Sequence, residues 1–289
     1  MSVALAPLLM IASGSIHAVV NAIIKGSRDT GSPQGTILPG ARMMASRAMT
    51  DGSAAVVLLP ALLVVPLPVG AWGWLAATAA VHALYLYSLI RAYQVSDFSS
   101  AYPVLRGTAP LVTAVVTLGL LGDRASPAAI AGIALIGLSM FVLAIGRHLG
   151  RAGFGWAVLT GFTIAAYTVI DAAGVRAAPT PFSYIAWMFV TMGATIVALF
   201  TILTRGTLFA SMRRQWRPGA VAGALSITTY GLALYALSIG PTAPLAALRE
   251  TGMVTAMVIA VVFLKERVTV GRAAAVLGIL AGAGLILRG

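Results

Sequence analysis

The sequence predicts an all-α polytopic membrane protein with ten transmembrane helices arranged as two inverted five-helix repeats. Three observations predict it. Charged residues make up 9% of the 289 positions and hydrophobic ones 60%, with a mean hydropathy of +0.97. A soluble domain carries about 25% charge, and this chain has too few charges to clothe a water-facing surface. The apolar residues fall in runs of about twenty, the helix length that crosses a hydrocarbon core. Finally, shifting the chain by 143 residues lays 85–144 on 228–287 without a gap.

The runs place spans at 2–24, 43–65, 72–92, 98–121, 127–147, 152–173, 182–203, 218–238, 242–264 and 270–287. The first 24 residues hold no Lys, Arg, Asp or Glu, so the basic start of a cleaved signal peptide is missing and the first run reads as a retained helix. The stretch KGSRDTGSPQGTILPGAR (25–42) is rich in Gly, Pro and polar groups and reads as a mobile loop outside the membrane. A second basic connection, 205–217, contains Arg213 and Arg214. The other connections are short.

Basic residues crowd the connections after spans 1, 3, 5, 7 and 9, among them Lys25, Arg28, Arg42, Arg47, Arg91, Arg147, Arg151, Arg205, Arg213, Arg214, Arg217, Lys265, Arg267 and Arg272. The other side holds Arg124, Arg176 and Arg288. The positive-inside rule then puts both termini on the non-cytoplasmic side. The net charge of +12 follows from this topology, since no basic helix or aromatic platform for nucleic acid accompanies it. There is no Cys, and the histidines lie far apart with no carboxylate at ligand spacing, so neither a metal nor a cofactor is expected. No phosphate loop GxxxxGK[ST] is present. Ser13, Ser15 and His17 crowd one helix without forming a nucleophile elbow or a supported triad, and no HExxH occurs, so an enzyme is not expected.

In the repeat, Leu105-Arg106-Gly107-Thr108 falls on Leu248-Arg249-Glu250-Thr251, and Asp123-Arg124-Ala125-Ser126 falls on Glu266-Arg267-Val268-Thr269. Upstream, Ser13, His17 and Asn21 match Thr163, Tyr167 and Asp171, both sets spaced i, i+4, i+8 along one helix face. The unit is five spans, an odd number, so the second copy enters the membrane from the opposite side. The halves are 1–148 and 149–289.

The stretches HAVVNAIIKGSRD (17–29), YPVLRGTAPL (102–111), AAYTVIDAAG (165–174) and LRETGMVTAMVIAVVFLKER (248–267) resemble EamA-type members of the drug/metabolite transporter superfamily, and within it bacterial amino-acid exporters, including the aromatic group. The resemblance covers almost the whole chain. It implies ten helices in two inverted halves, and a secondary transporter that exports amino acids of broad range across the bacterial inner membrane by alternating access. A drug or nucleotide-sugar/metabolite transporter of the same fold is the alternative. The implied partners are a small solute and the lipid bilayer, with the chain a monomer or weak dimer.

Ionisable groups inside a bilayer are costly and usually functional. Arg106 and Arg249 either line a central cavity and attract a carboxylate or brace neighbouring helices, and their symmetry leans toward bracing. Asp171 and Glu250 read as the only carboxylates within spans. Each carries a coupling proton or pairs with an arginine, and Asp171 with Arg249 is the favoured pairing. His17 and His82 serve proton coupling or hydrogen-bond a neighbouring helix. Asn21 extends the polar face of His17. Tyr85, Tyr102, Tyr167 and Tyr230 line an aromatic, hydroxylated cavity or act as anchors and core residues. Tyr102 shares a face with Ser99 and Arg106, and Trp187 offers a ring from span 7. Pro103, Pro110, Pro241 and Pro244 break the backbone ladder in or beside spans 4 and 9. Gly278 and Gly282 form a GxxxG step for close packing within the bundle rather than for dimerisation.

Overall fold

The computed structural model describes residues 2–26, 39–145, 149–214, 216–262, 265 and 268–289, and every regular element among them is helical. In chain order these are α1 (Ser2–Gly26), α2 (Pro39–Leu58), α3 (Trp72–Val95), α4 (Phe98–Ala114), α5 (Pro127–Val142), α6 (Arg151–Ala177), α7 (Pro181–Leu203), α8 (Leu208–Arg214), α9 (Trp216–Ile239), α10 (Thr242–Leu248), α11 (Gly252–Val262) and α12 (Val270–Arg288). Seven stretches among the described residues are long and apolar enough to cross a membrane: Trp72–Val95, Phe98–Leu120, Arg151–Ala177, Pro181–Leu203, Trp216–Ile239, Thr242–Val262 and Val270–Arg288. Leu5–Val19 and Pro127–Val142 are shorter apolar helices. α2 is twenty residues long, but Arg42, Arg47 and Asp51 interrupt its apolar character.

Local chemistry starts several of these helices. Ser126 Oγ accepts from Ala129 N at 3.0 Å, and Thr269 Oγ1 accepts from Arg272 N at 3.4 Å. These two are the last residues of the matched acidic-Arg turns, so each turn ends in a helix N-cap. The residue preceding each acidic-Arg pair is left-handed, Gly122 at φ +73° and Lys265 at φ +52°. Thr180 caps α7 in the same way, accepting from Ser183 N at 3.1 Å, and Pro127 and Pro181 stand at the first helical positions.

Several boundaries differ from the sequence expectation. α5 ends at Val142 and continues only as a turn. The basic connection after α7 contains the short helix α8. Residues 27–38, most of the Gly/Pro-rich segment, and Glu266-Arg267 lie outside the described residues. The ninth run is not one helix: α10 stops at Leu248, Arg249–Thr251 form a 3-10 turn, and α11 resumes at Gly252. α4 passes through Pro103 and Pro110 and then widens into a π turn at Val115–Leu120.

Helix packing follows a regular scheme. α3 and α4 both pack on α6, while α9 and α11 both pack on α1; α5 pairs with α12, and α2 with α7. Exchanging α1 with α6, α2 with α7, α3 with α9, α4 with α11 and α5 with α12 maps this set of pairs onto itself. Small residues let the backbones approach. A Cβ on Gly282 would lie 2.7 Å from the Gly132 carbonyl oxygen, and one on Gly132 would meet the Gly282 carbonyl, so the last helix's GxxxG step is filled by α5. Where α1 crosses the start of α11, a Cβ on Gly252 would strike the Gly14 carbonyl, and one on Gly14 would strike the Arg249 carbonyl. α6 is the inner helix, with 61% of its most apolar window buried against 28% for α12. Leu63, Val64, Leu120, Ile202 and Leu277 point outward, where lipid would cover them.

Replacing Gly282 by Leu should lower stability in detergent by about 1–3 kcal/mol through overpacking of the α5–α12 seam. Leu at Gly284, which has open space around its Cα, should cost much less. Thermal unfolding of the two variants makes the comparison, and equal melting temperatures would contradict the seam.

Candidate functional site

α4 and the 3-10 turn after α10 each deliver an arginine into the bundle, and the two arginines meet different environments. Arg106 Nε lies 2.8 Å from Glu250 Oε2, with side chains 14% and 5% exposed. The N–H points off the line to the oxygen, so the contact is an ion pair rather than an aligned hydrogen bond. It is the one ion pair found among the described residues. Arg249 and Glu250 are chain neighbours in the 3-10 turn, where successive side chains diverge by about 120°. Glu250 therefore reaches α4 while Arg249 turns to α9. The Arg249 guanidinium carbon sits 5.1 Å from the Tyr230 ring centroid, and its buried Nε has no hydrogen-bond partner.

Asp171, on α6, is fully buried. Its Oδ1 accepts from the Tyr184 hydroxyl at 2.8 Å, and its Oδ2 accepts a short hydrogen bond from the Tyr230 hydroxyl. Tyr184 can approach only because residue 174, one turn further along α6, is glycine; a Cβ there would strike the phenol ring. On the same side of the bundle His82 stacks on Tyr167 with centroids 4.2 Å apart, and Tyr85 meets Tyr167 edge-on at 5.4 Å. His82 Nδ1 lies 3.0 Å from both the hydroxyl and the carbonyl of Thr78, one turn earlier on α3.

A cavity of about 20 Å³, room for about one water, lies between these helices. Arg106, Pro110, Thr113, Thr168, Tyr230, Arg249 and Glu250 are among its lining residues. Pro110 has no N–H to offer the Arg106 carbonyl, which a regular helix would have bonded.

Most of the residues singled out in the sequence converge here. Arg106, Arg249, Glu250 and Tyr230 line the cavity, and His82, Tyr85, Tyr167 and Asp171 form an aromatic layer joined to it through Tyr230. Tyr102 lies against the far side of Arg106, its ring centroid 5.9 Å from the guanidinium carbon, and stacks on Phe98. His17 on α1 is within Coulombic reach of Arg249 and Arg106. The side chain of Asn21 lies outside the described residues.

Three expectations are corrected. Asp171 does not pair with Arg249, because Tyr230 stands between them, its hydroxyl on the carboxylate and its ring under the guanidinium. Trp187 does not line the cavity but packs edge-on against Trp72, centroids 5.1 Å apart; Phe189 is the α7 ring that faces Tyr230. Asp171 and Glu250 are not the only carboxylates within spans. Asp51 on α2 is 4% exposed, one turn from Arg47 and within Coulombic reach of His82. Asp51 stood in plain view inside the predicted span 43–65. Tyr184 carried no such signal, since its role depends on the turn between α6 and α7.

Residues 151–288 match the EamA-like transporter family. The matched stretch runs from α6 through α12 and so includes Asp171, Tyr184, Tyr230, Arg249 and Glu250. A solved structure, described only as the crystal structure of a protein, superposes with a TM-score of 0.65 at 17% identity, over 97% of this chain and 94% of its own. The shared fold therefore extends beyond the EamA-like segment to the whole chain. No curated protein matches. The apolar helices make this a multi-pass membrane protein, and its segment 151–288 is similar to EamA-like transporters.

Removing one partner of a buried ion pair strands the other charge in low dielectric, at about 3–5 kcal/mol. Arg106→Ala and Glu250→Ala should each show that loss, and the double variant should cost much less than their sum. Unfolding in detergent closes this double-mutant cycle; additive losses would show that the two side chains do not interact.

Proposed function

We propose that the whole chain is an EamA-type secondary transporter of the drug/metabolite transporter superfamily, built of ten spans in two inverted halves, 1–148 and 149–289. In this reading it exports amino acids of broad range across the bacterial inner membrane by alternating access, with both termini on the non-cytoplasmic side. The family match, the whole-chain fold likeness and the self-mapping set of helix pairs support the architecture. So do the matched N-caps and left-handed residues at the two acidic-Arg turns.

The observation that carries the substrate class is the division between the two arginines. Arg106 is neutralised by Glu250 and braces α4 against the broken ninth span. Arg249 lines the cavity with a buried, unpartnered Nε and no acid in contact among the described residues. A desolvated guanidinium with a free donor suits a carboxylate. The Arg106 carbonyl, denied its donor by Pro110, offers an acceptor for an ammonium, and the rings of Tyr230, Tyr167 and Tyr85 offer a tolerant wall for varied side chains. Together they accommodate both ends of an amino acid.

The cavity of about 20 Å³ is far below the roughly 300 Å³ at which small-ligand pockets begin. Solute entry therefore requires the helices around it to separate. The π turn at Val115–Leu120 follows the helix that carries Arg106, and the 3-10 turn at Arg249–Thr251 carries Arg249 itself. Irregular turns of this kind are where a packed helix bends most readily.

Proteoliposomes loaded with labelled amino acids should release them faster with this protein than without. Arg249→Ala should reduce the rate by roughly ten- to hundredfold, the worth of a hydrogen bond to a charged group. Amino-acid amides, which lack the carboxylate, should be poor substrates of the wild-type protein. No acceleration across a broad panel would turn the reading to drug or nucleotide-sugar export by the same fold. Equal rates for acids and amides would remove Arg249 as the carboxylate receptor.

A further inference from the structure

Asp171 poses a question that the solute site does not answer. It is fully buried at the centre of a membrane bundle, yet among the described residues no cation touches it. Its two oxygens are held by two tyrosine hydroxyls, Tyr184 from α7 and Tyr230 from α9. The charged and titratable groups around it are few. α3 contributes His82 and Tyr85, α4 contributes Arg106 and Tyr102, the ninth span contributes Arg249 beyond the Tyr230 ring, and α2 brings Arg47 and buried Asp51 within Coulombic reach of the same His82. Tyr167 shares its helix. Arg176, at the helix end, is tied to the Leu237 and Gly240 carbonyls and to Thr242.

We infer that Asp171 is a proton-binding site read out at the cavity through Tyr230, so that a proton and a carboxylate-bearing solute bind together. The inference rests on the solute reading above. An ionised carboxylate only accepts hydrogen bonds, and here both tyrosines donate to it. When a proton from water bonds to Oδ2, the new O–H becomes a donor. One tyrosine oxygen must then accept, and its own hydroxyl hydrogen must turn elsewhere. Tyr184 is wedged against Gly174 in the core with no space beside it. Tyr230 lines the cavity next to Arg249. The hydrogen released is therefore Tyr230's, and it can turn toward the cavity that Tyr230 lines. Protonation also removes a negative charge from the far side of that ring, which strengthens the pull of Arg249 on an anion. No covalent bond breaks except that of the incoming proton to its water carrier.

Linkage fixes the sign. If the solute prefers the protonated form, the proton equally prefers the solute-bound form. Affinity then rises as pH falls, by at most about tenfold per pH unit for one linked proton. A solute leaving the cell down its own gradient carries a proton out with it.

The test uses the full chain in lipid nanodiscs and equilibrium binding of a labelled amino acid between about pH 5 and pH 7, where the amino acid's own groups stay fixed. Wild type should lose affinity as pH rises, approaching tenfold per unit. The slope should vanish in Asp171→Asn and in Tyr230→Phe, and should persist in His17→Gln and His82→Gln. A flat wild-type profile, or a slope that survives in Asp171→Asn, overturns the inference, as does one abolished by a histidine substitution alone. If Asp171→Asn fails to fold, Tyr230→Phe, which keeps the ring, carries the same comparison. Infrared difference spectra on pH titration without solute form a second arm. A protonated-carboxyl band should appear, shift in Tyr230→Phe and disappear in Asp171→Asn. Absence of that band overturns the proton site whatever the solute does. Its presence, with no amino acid bound or moved, defeats the solute reading and leaves the proton site standing.

Discussion

The arrangement of this protein's interior depends on the cost of burying charge where water cannot reach. A carboxylate or guanidinium in hydrocarbon must find a partner or line a polar cavity, because the desolvation penalty amounts to several kcal/mol per ion. The chain places Arg106, Arg249, Glu250 and Asp171 inside its helices and settles each differently. Arg106 and Glu250 neutralise each other. Asp171 is held by hydroxyl donors. Arg249 rests on an aromatic face and keeps an unused donor. The helices that supply these partners, α4, α6, α7, α9 and α10, are thereby fixed around one point. Small residues at the crossings of α1 with α11 and of α5 with α12 let the backbones come close enough for this.

Much of this was legible in the sequence because its signals are local. Runs of apolar residues mark the helices, and the matched Arg106 and Arg249 mark the depth at which they meet. The acidic-Arg turns also proved informative, though not for their charges. Their fourth residues, Ser126 and Thr269, cap the helices that follow. What stayed hidden was angular. Sequence spacing on a regular helix separates Arg249 from Glu250 by about 100°, but it does not say that a 3-10 turn sits there, nor that Glu250 swings to α4. The Asp171–Tyr184 contact needs the α6–α7 turn and a glycine at position 174, and neither reads as a site. Trp187 shows the converse failure. Position on span 7 suggested the cavity, but Trp187 sits on Trp72, and Phe189, about 200° further round the helix, is the ring that faces Tyr230.

Rigidity and mobility are distributed accordingly. The glycine crossings are close and resist sliding, since each carbonyl fills the space a side chain would need. The π turn after α4 and the 3-10 turn after α10 are the places where the backbone ladder is already irregular. Both lie on helices that carry a cavity arginine. The 3-10 turn is itself held by the α1 seam, because the Arg249 carbonyl occupies the space beside Gly14, whereas the π turn lies outside both glycine seams.

The two aligned arginine segments also show why the two arginines have different surroundings. In the aligned segments LRGT and LRET the arginines coincide, and the next position is Gly107 in one half and Glu250 in the other. Glu250 crosses to Arg106. The reciprocal partner for Arg249 would be an acid at position 107, but that position is pressed against α5. A Cβ there would lie 2.9 Å from the Gly137 carbonyl and 3.0 Å from Met140 and Phe141. The seam between α4 and α5 thus excludes the second acid by packing alone. One arginine is braced, and its counterpart keeps its charge for the cavity. Two aligned sequence segments each place an arginine in the bundle, and a single glycine, required for helix packing, leaves Arg249 without an acidic partner there.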